Sequence, residues 1–206
     1  MYGACTRGEE SHTVSYAKVE KINRISNTEL NEFNNIVREY LPGTSESELY
    51  EKFNNSNNVF IGYYLENKLI GVCFGESIDK EHFGLIGIAI IFPYNKQGRG
   101  SKLLNYFENI VKSKGYRNIS LGSGDGYVER FYIKNGYVLS SLKILVENDI
   151  WKEKNNELFP ISRIERQGKY IKLVIENICY ETADKDKICK FYGGFERFYV
   201  FEKNIL

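Results

Sequence analysis

The segment "NKQGRG" (95–100) sets Gly98 and Gly100 one residue apart among Lys96, Arg99 and, just beyond, Lys102. The apolar stretch "HFGLIGIAIIF" (82–92) precedes it, and Leu103, Leu104, Phe107, Ile110 and Val111 follow at helical spacing. A strand that ends where a helix begins leaves the first helix amides without partners, and the aligned peptide dipoles put partial positive charge there. Glycine reaches backbone angles that other residues avoid and, lacking a side chain, lets an anion come up against the amides. The chemistry implied is anion binding, with a pyrophosphate suited to the amides and the cations together. A tight turn with no ligand is the other meaning of two spaced glycines. Competing phosphate loops fail on their residues: GxxxxGK[ST] is absent, and "GRGSKL" (98–103) lacks the third glycine of GxGxxG.

Any such site must draw on local charge. The 206 residues carry 28 Lys and Arg against 27 Asp and Glu, a net charge of +1, so no global field pulls toward nucleic acid or a membrane surface. Cys5, Cys73, Cys179 and Cys189 are scattered, form no CxxC pair and come with two histidines, which speaks for reduced thiols and against a metal site. Neither a cleavable leader nor an apolar run of membrane-spanning length is present, and a cytoplasmic protein is expected. A hydrophobic fraction of 42% with 27% charged residues describes a folded domain with a real core.

The elements that must position the glycine junction follow from pattern. Residues 1–13 lack periodicity and are expected as a leader. "VSYAKVEKI" (14–22) alternates as a strand. Ser26 to Glu29 has capping-box form ahead of Leu30, Phe33, Ile36, Val37, Tyr40 and Leu41, and Pro42-Gly43 stops that helix. Ser45 to Glu48 is a second box, opening a short helix through Phe53. "NVFIGYYLE" (58–66) and "KLIGVCFGES" (68–77) suit a hairpin, and 82–92 a central strand covered on both faces. A helix from Gly98 to Gly115, a strand at 118–124, a short helix over 127–137 and a strand at 137–147 complete an order that implies a mixed α/β sheet with helices on both faces. Beyond 148, "NDIWKEKNNELFP" is a polar connector, 169–180 a strand, "DKDKICKFYGG" a short helix and 197–205 a last strand. Residues 149–206 are therefore expected as an extension packed on the sheet of a 14–148 domain, and the last strand could pair across a homodimer.

Order and motifs together resemble the GNAT superfamily of acyl-CoA-dependent N-acyltransferases. The family's [RQ]-x-x-G-x-[GA] signature lies between a central strand and a helix, where this chain has "NKQGRG". "IIF" (90–92) matches the run before that loop, and "ERFYIKNGY" (129–137) the family's "FYxxxGF" ending. The resemblance covers about residues 14–147 and implies a mostly antiparallel twisted sheet and acetyl-CoA, or another acyl-CoA, as cosubstrate, with no metal. It further implies an amine acceptor, no nucleic-acid or membrane partner, and direct acyl transfer in a ternary complex. Cofactor binding falls on Ile90, Ile91 and Phe92, whose backbone would pair with the pantetheine arm, and on Asn95, Lys96, Gln97, Gly98, Arg99, Gly100 and Ser101 at the pyrophosphate. Ser123, after the second splayed strand, would stand against the pantetheine, with Asp125 capping the next helix. Tyr132 takes the place of the frequent general-acid tyrosine, while Phe131 and Tyr137 read as packing residues.

Two departures stand out. Asn95 replaces the family's Arg or Gln, and the central strand has no carboxylate, leaving Glu76 and His82 as the nearest candidate bases beside water-relayed deprotonation. These same departures motivate the alternative of a GNAT-like acyl-CoA sensor or interaction module. A phosphate-binding hydrolase lacks any Ser-His or metal-ligand constellation. Glu46, Glu48 and Glu51 could draw a cationic acceptor or simply form a solvated helix face.

Overall fold

A computed structural model describes residues 18–124, 126–151 and 159–206. The leader, the first four residues of the expected first strand, Asp125 and most of the polar connector lie outside the described residues. The chain forms β1 (Glu20–Arg24), a 3-10 turn at Asn27–Glu29, α1 (Leu30–Tyr40), α2 (Glu46–Asn54), β2 (Val59–Leu65), β3 (Lys68–Ser77) and β4 (His82–Ile90). Then come α3 (Arg99–Ser113), β5 (Asn118–Ser123), α4 (Gly126–Lys134), β6 (Val138–Glu147), β7 (Arg163–Gln167), β8 (Tyr170–Glu176), α5 (Lys185–Tyr192) and β9 (Glu196–Asn204).

Local chemistry explains most of these boundaries. Both capping boxes form: the Ser26 amide donates to Glu29 at 2.9 Å, and the Glu48 amide donates to the Ser45 hydroxyl at 3.3 Å. Gly43, at φ +113°, carries the chain out of α1 and toward α2. Between β2 and β3 the two turn residues Glu66 and Asn67 both have positive φ (51° and 66°), the pattern of a twist-matched two-residue hairpin.

Among the described residues nine strands join one mostly antiparallel sheet in the order β1-β2-β3-β4-β5-β9-β6-β8-β7. One core lies under α1 and α2, where Phe33, Phe60 and Phe74 meet with ring centroids 5.4–5.8 Å apart. The larger core lies on the opposite face, under α3, α4 and α5.

Three features differ from the sequence expectation. β7, "RIERQ", was not expected as a strand: its charged side chains alternate with few apolar ones because it is the outer strand of an edge hairpin with β8. β9 is not an outer strand. It bonds β5 on one side and β6 on the other, so it has no free edge to offer a homodimer. β4 is bulged: Phe74 pairs with Gly87 but Gly75 with Leu85, leaving Ile86 as an extra residue in the strand.

Candidate active site

The site starts from that bulge. β4 runs parallel to β5 only over His82–Gly84 against Asn118–Ser120, and past that point the two strands part. The β5 backbone is satisfied on its other edge by β9, whereas β4 beyond the bulge keeps pairing only toward β3. A stretch of β4 backbone is thereby left facing a gap. Ile88 and Ile90 turn toward the larger core and Ala89 toward the smaller one.

After β4 the chain turns sharply, with the Tyr94 amide donating to the Ile91 carbonyl at 2.9 Å. Lys96 (φ 56°) and Gly98 (φ 79°) are both left-handed, and Gly98 forms the N-cap of α3. No heavy atom lies within 4 Å of where a Gly98 Cβ would stand, and Gly98, Gly100 and Ser101 at the head of α3, whose first amides lack intrahelical partners, border open space. A Cβ on Gly100 would come within 3.3 Å of the Phe131 ring, so this glycine is what lets α3 approach α4.

Between these parts lies a cavity of about 530 Å³. Ile88, Ala89 and Ile90 form its strand wall; Asn95, Lys96, Gly98, Gly100 and Ser101 its loop and helix end; Tyr127, Val128, Arg130, Phe131 and Lys134 its α4 wall. Lys96 sits 5.6 Å from the centre of the Tyr127 ring. Among the described residues its lining includes three cations, Lys96, Arg130 and Lys134, and no carboxylate.

The structure therefore brings together Ile90, Asn95, Lys96, Gly98, Gly100 and Ser101. Arg99 and Gln97 turn elsewhere. Arg99 bonds Glu20 at 3.0 Å and the Tyr94 carbonyl at 3.2 Å and also reaches Gln97, which donates to the Pro93 carbonyl at 3.1 Å. Glu20 also takes Lys102 at 2.9 Å and the Tyr63 hydroxyl at 2.6 Å. The hydrogen bond from Tyr63, then that from Lys102, holds its carboxyl down at about 2, while burial and the same bond to Glu20 push the Tyr63 phenol up to about 12. Arg99 and Gln97 thus brace the loop against β1 instead of reaching into the cavity.

Ile91 packs beneath the loop, and Phe92 is 75% exposed beside it. Ser123 is buried at the end of β5, opposite Tyr199. Tyr132, 6% exposed, lies in the larger core with its ring 5.3 Å from that of Phe131 and 5.7 Å from that of Tyr137, and burial raises its pKa. It stands one residue behind the cavity wall that Phe131 forms. Tyr137 is a buried packing residue as expected, whereas Phe131 serves both core and cavity.

Glu76 is a correction. It pairs with Lys52 in a separate pocket beside Asn55 and Asn58, level with Gly84 at the start of β4. Four strand residues, roughly 13 Å, separate that level from Ile88, where the cavity's strand wall begins. His82 is bound to Asp79 at 3.0 Å at the same remote end. The α4 contributors Tyr127, Arg130 and Lys134 carry no motif, and their one-face spacing of three and four residues is the only mark of them in the sequence.

A larger cavity, about 1020 Å³, lies on the other side of α4 toward α5 and shares Arg130 and Lys134 with the first. Several of its charged groups are paired: Glu129 with Lys185 and Asp186 with Arg197 inside it, and Asp184 with Lys187 just outside.

Comparison with known proteins agrees with this geometry. The family model described as the acetyltransferase (GNAT) family matches residues 27–137, more than half of the chain, and the chain belongs to that family. No curated protein sequence matches it. Among solved structures it is similar to aminoglycoside 6'-N-acetyltransferase from Enterococcus faecium, at 15% identity and a TM-score of 0.55, covering 90% of this chain and 97% of the other. It is similar also to the ribosomal-protein-S18-alanine N-acetyltransferase from Escherichia coli (12%, TM-score 0.54, 81% and 99%). A third likeness is to a GNAT family acetyltransferase from Elizabethkingia anophelis with acetyl-CoA bound (16%, TM-score 0.52, 76% and 97%). At these identities the likeness establishes a shared fold.

Proposed function

We propose that this chain transfers an acetyl group from acetyl-CoA directly to an amine of a small molecule or protein. The observation that carries the proposal is the gap between β4 and β5, opened by the Ile86 bulge and closed off by a helix N-terminus with a left-handed glycine. Amides of the first turn of α3, with Lys96 beside them, are suited to a pyrophosphate. The unpaired β4 backbone beyond the bulge is suited to the amides of a pantetheine arm, and one of its N–H groups to the thioester carbonyl, where negative charge develops. Lys96, Arg130 and Lys134 supply positive charge for the remaining phosphate. The solved relative carrying acetyl-CoA supports the same assignment.

Tyr132 is assigned the proton for the departing thiolate. Burial keeps its phenol protonated across the physiological range, as that role requires. No carboxylate lines the cavity among the described residues and Glu76 is remote, so the acceptor ammonium gives up its proton to water.

Acetyl-CoA binding by calorimetry and thiol release with a panel of amines test the proposal. Tyr132→Phe is expected to lower kcat by roughly a hundredfold or more while leaving acetyl-CoA affinity unchanged. A protein that binds no acyl-CoA refutes it. The second reading, an acyl-CoA-binding module without turnover, is favoured by the same missing carboxylate and by Tyr132 lying behind the cavity wall; binding with no thiol release from any amine would select it.

A further inference from the structure

The cavity described above occupies one face of the gap between β4 and β5. An acceptor must reach the gap from the other face, where α1 packs on β3 and β4 and the sheet continues past β5 into β9, β6, β8 and β7. Leu142 and Ile144 of β6 belong to the larger core, so Lys143 between them points to the acceptor face. It pairs with Phe198 of β9 on one side and Val174 of β8 on the other, in a row that starts at the end of β5. The Phe198 ring ties the row to that end: it lies 3.1 Å from where a Cβ on Gly122 would stand.

Lys143 is half-buried, and among the described residues it makes no hydrogen bond and no ion pair. Its charged neighbours are Lys172, Arg163, Glu165 and Glu202. Glu165 is already shared between Arg163 at 2.8 Å and Lys172 at 3.2 Å. Glu202 is exposed and makes no ion pair with Lys143, so among the described residues no carboxylate contacts this partly desolvated cation; that costs free energy which an anionic ligand would recover, and burial accordingly lowers its pKa.

We infer that Lys143 binds an anionic group of the acceptor, a carboxylate or a phosphate. The acceptor is then an amine that also carries an acid, with the two groups separated by no more than the two and a half strand spacings, roughly 12 Å, between β6 and the middle of the gap. A polycation would meet Lys143, Lys172 and Arg163 together and be rejected. The inference rests on the acetyl-transfer proposal and specifies its substrate class.

The test uses the whole chain with saturating acetyl-CoA and four amines: 6-aminohexanoate, 4-aminobutyl phosphate, 1-aminohexane and spermidine. One of the two acid-bearing amines should exceed 1-aminohexane in kcat/KM by about tenfold or more, and which of them does so separates carboxylate from phosphate. Lys143→Ala should remove that preference through KM with kcat retained, and Lys143→Arg should keep most of it. Preference for 1-aminohexane or spermidine, or a preference that survives Lys143→Ala, overturns the inference. Should no amine turn over, calorimetric binding of the acetylated products in the presence of CoA reads the same contrast: a preference for the acid-bearing products that Lys143→Ala abolishes supports the inference. Equal binding of N-acetyl-6-aminohexanoate, N-acetyl-4-aminobutyl phosphate and N-hexylacetamide overturns it. Intact acetyl-CoA binding with no anion preference defeats this inference alone, whereas lost acetyl-CoA binding in the unaltered protein defeats the acetyl-transfer proposal and this one with it.

Discussion

The two cavities that flank α4 share Arg130 and Lys134 yet differ in what their charges are doing. On the α5 side, the greater volume is bordered by acids and bases that neutralise one another, with Glu129, only 2% exposed, held by Lys185. On the α3 side, the cavity is half as large, and among the described residues its lining joins helix amides, three cations and strand backbone past its pairing with β5, with no carboxylate beside them. A binding site is marked by uncompensated donors and charge more than by size. Paired groups describe a structural joint, and unpaired ones describe a ligand.

Substitutions on either side of α4 should separate the two roles. The largest effect is expected from Glu129→Ala, which takes from the largely buried Lys185 ammonium its carboxylate partner and leaves it, among the described residues, the Gly124 carbonyl at 2.8 Å and the Tyr199 ring at 5.0 Å. Stability should fall by about 3 kcal/mol in urea unfolding, with acetyl-CoA affinity within twofold of the parent. An affinity loss of tenfold or more would break the contrast between the cavities. Gly98→Val should act in the opposite sense. Its left-handed backbone, at φ 79°, penalises a β-branched residue by about 1–2 kcal/mol, and the new side chain would stand where the phosphate approaches. Acetyl-CoA affinity should fall more than tenfold with only a modest drop in Tm; unchanged affinity would remove the anion-site assignment.

The smallest effect concerns the brace at Glu20. Its carboxyl, ordinarily at 4.5, is held down to about 2 in the folded protein. A depressed folded-state pKa contributes stability above the ordinary value, and that contribution is lost as pH falls from about 4.5 toward 2. Glu20→Gln should therefore be less stable than the parent at pH 6, with the difference shrinking at pH 3, and should weaken acetyl-CoA binding a few-fold by releasing Arg99 and Lys102. A stability difference that does not change with pH would show that Glu20 braces the loop by shape and not by charge.

The legible part of the site was the part built from neighbouring residues. "NKQGRG" announced a helix N-terminus with left-handed freedom, and the cavity lies there. Arg99, in the same six residues, gave no sign of turning away, because the partner that draws it is Glu20, 79 residues distant, and Gln97 follows by bonding Arg99 and the Pro93 carbonyl. Glu76 looked near the centre because β3 and β4 are adjacent in sequence, but an antiparallel pair puts the end of one strand beside the start of the other.

The capping boxes, the hairpin turn at Glu66-Asn67, the apolar faces of the helices and the glycine at the head of α3 follow from the local sequence. Those depend on contacts within a few residues, where propensity and spacing suffice. Tertiary structure alone decided that the last strand enters between β5 and β6, that β4 and β5 part after three residues, and that α4 turns Tyr127, Arg130 and Lys134 to the cavity. These rest on pairings across as many as 86 residues, as between Asn118 and Asn204. At that separation strand register and side-chain direction are set by which surfaces can be buried together, a property of the assembled sheet that no local window contains.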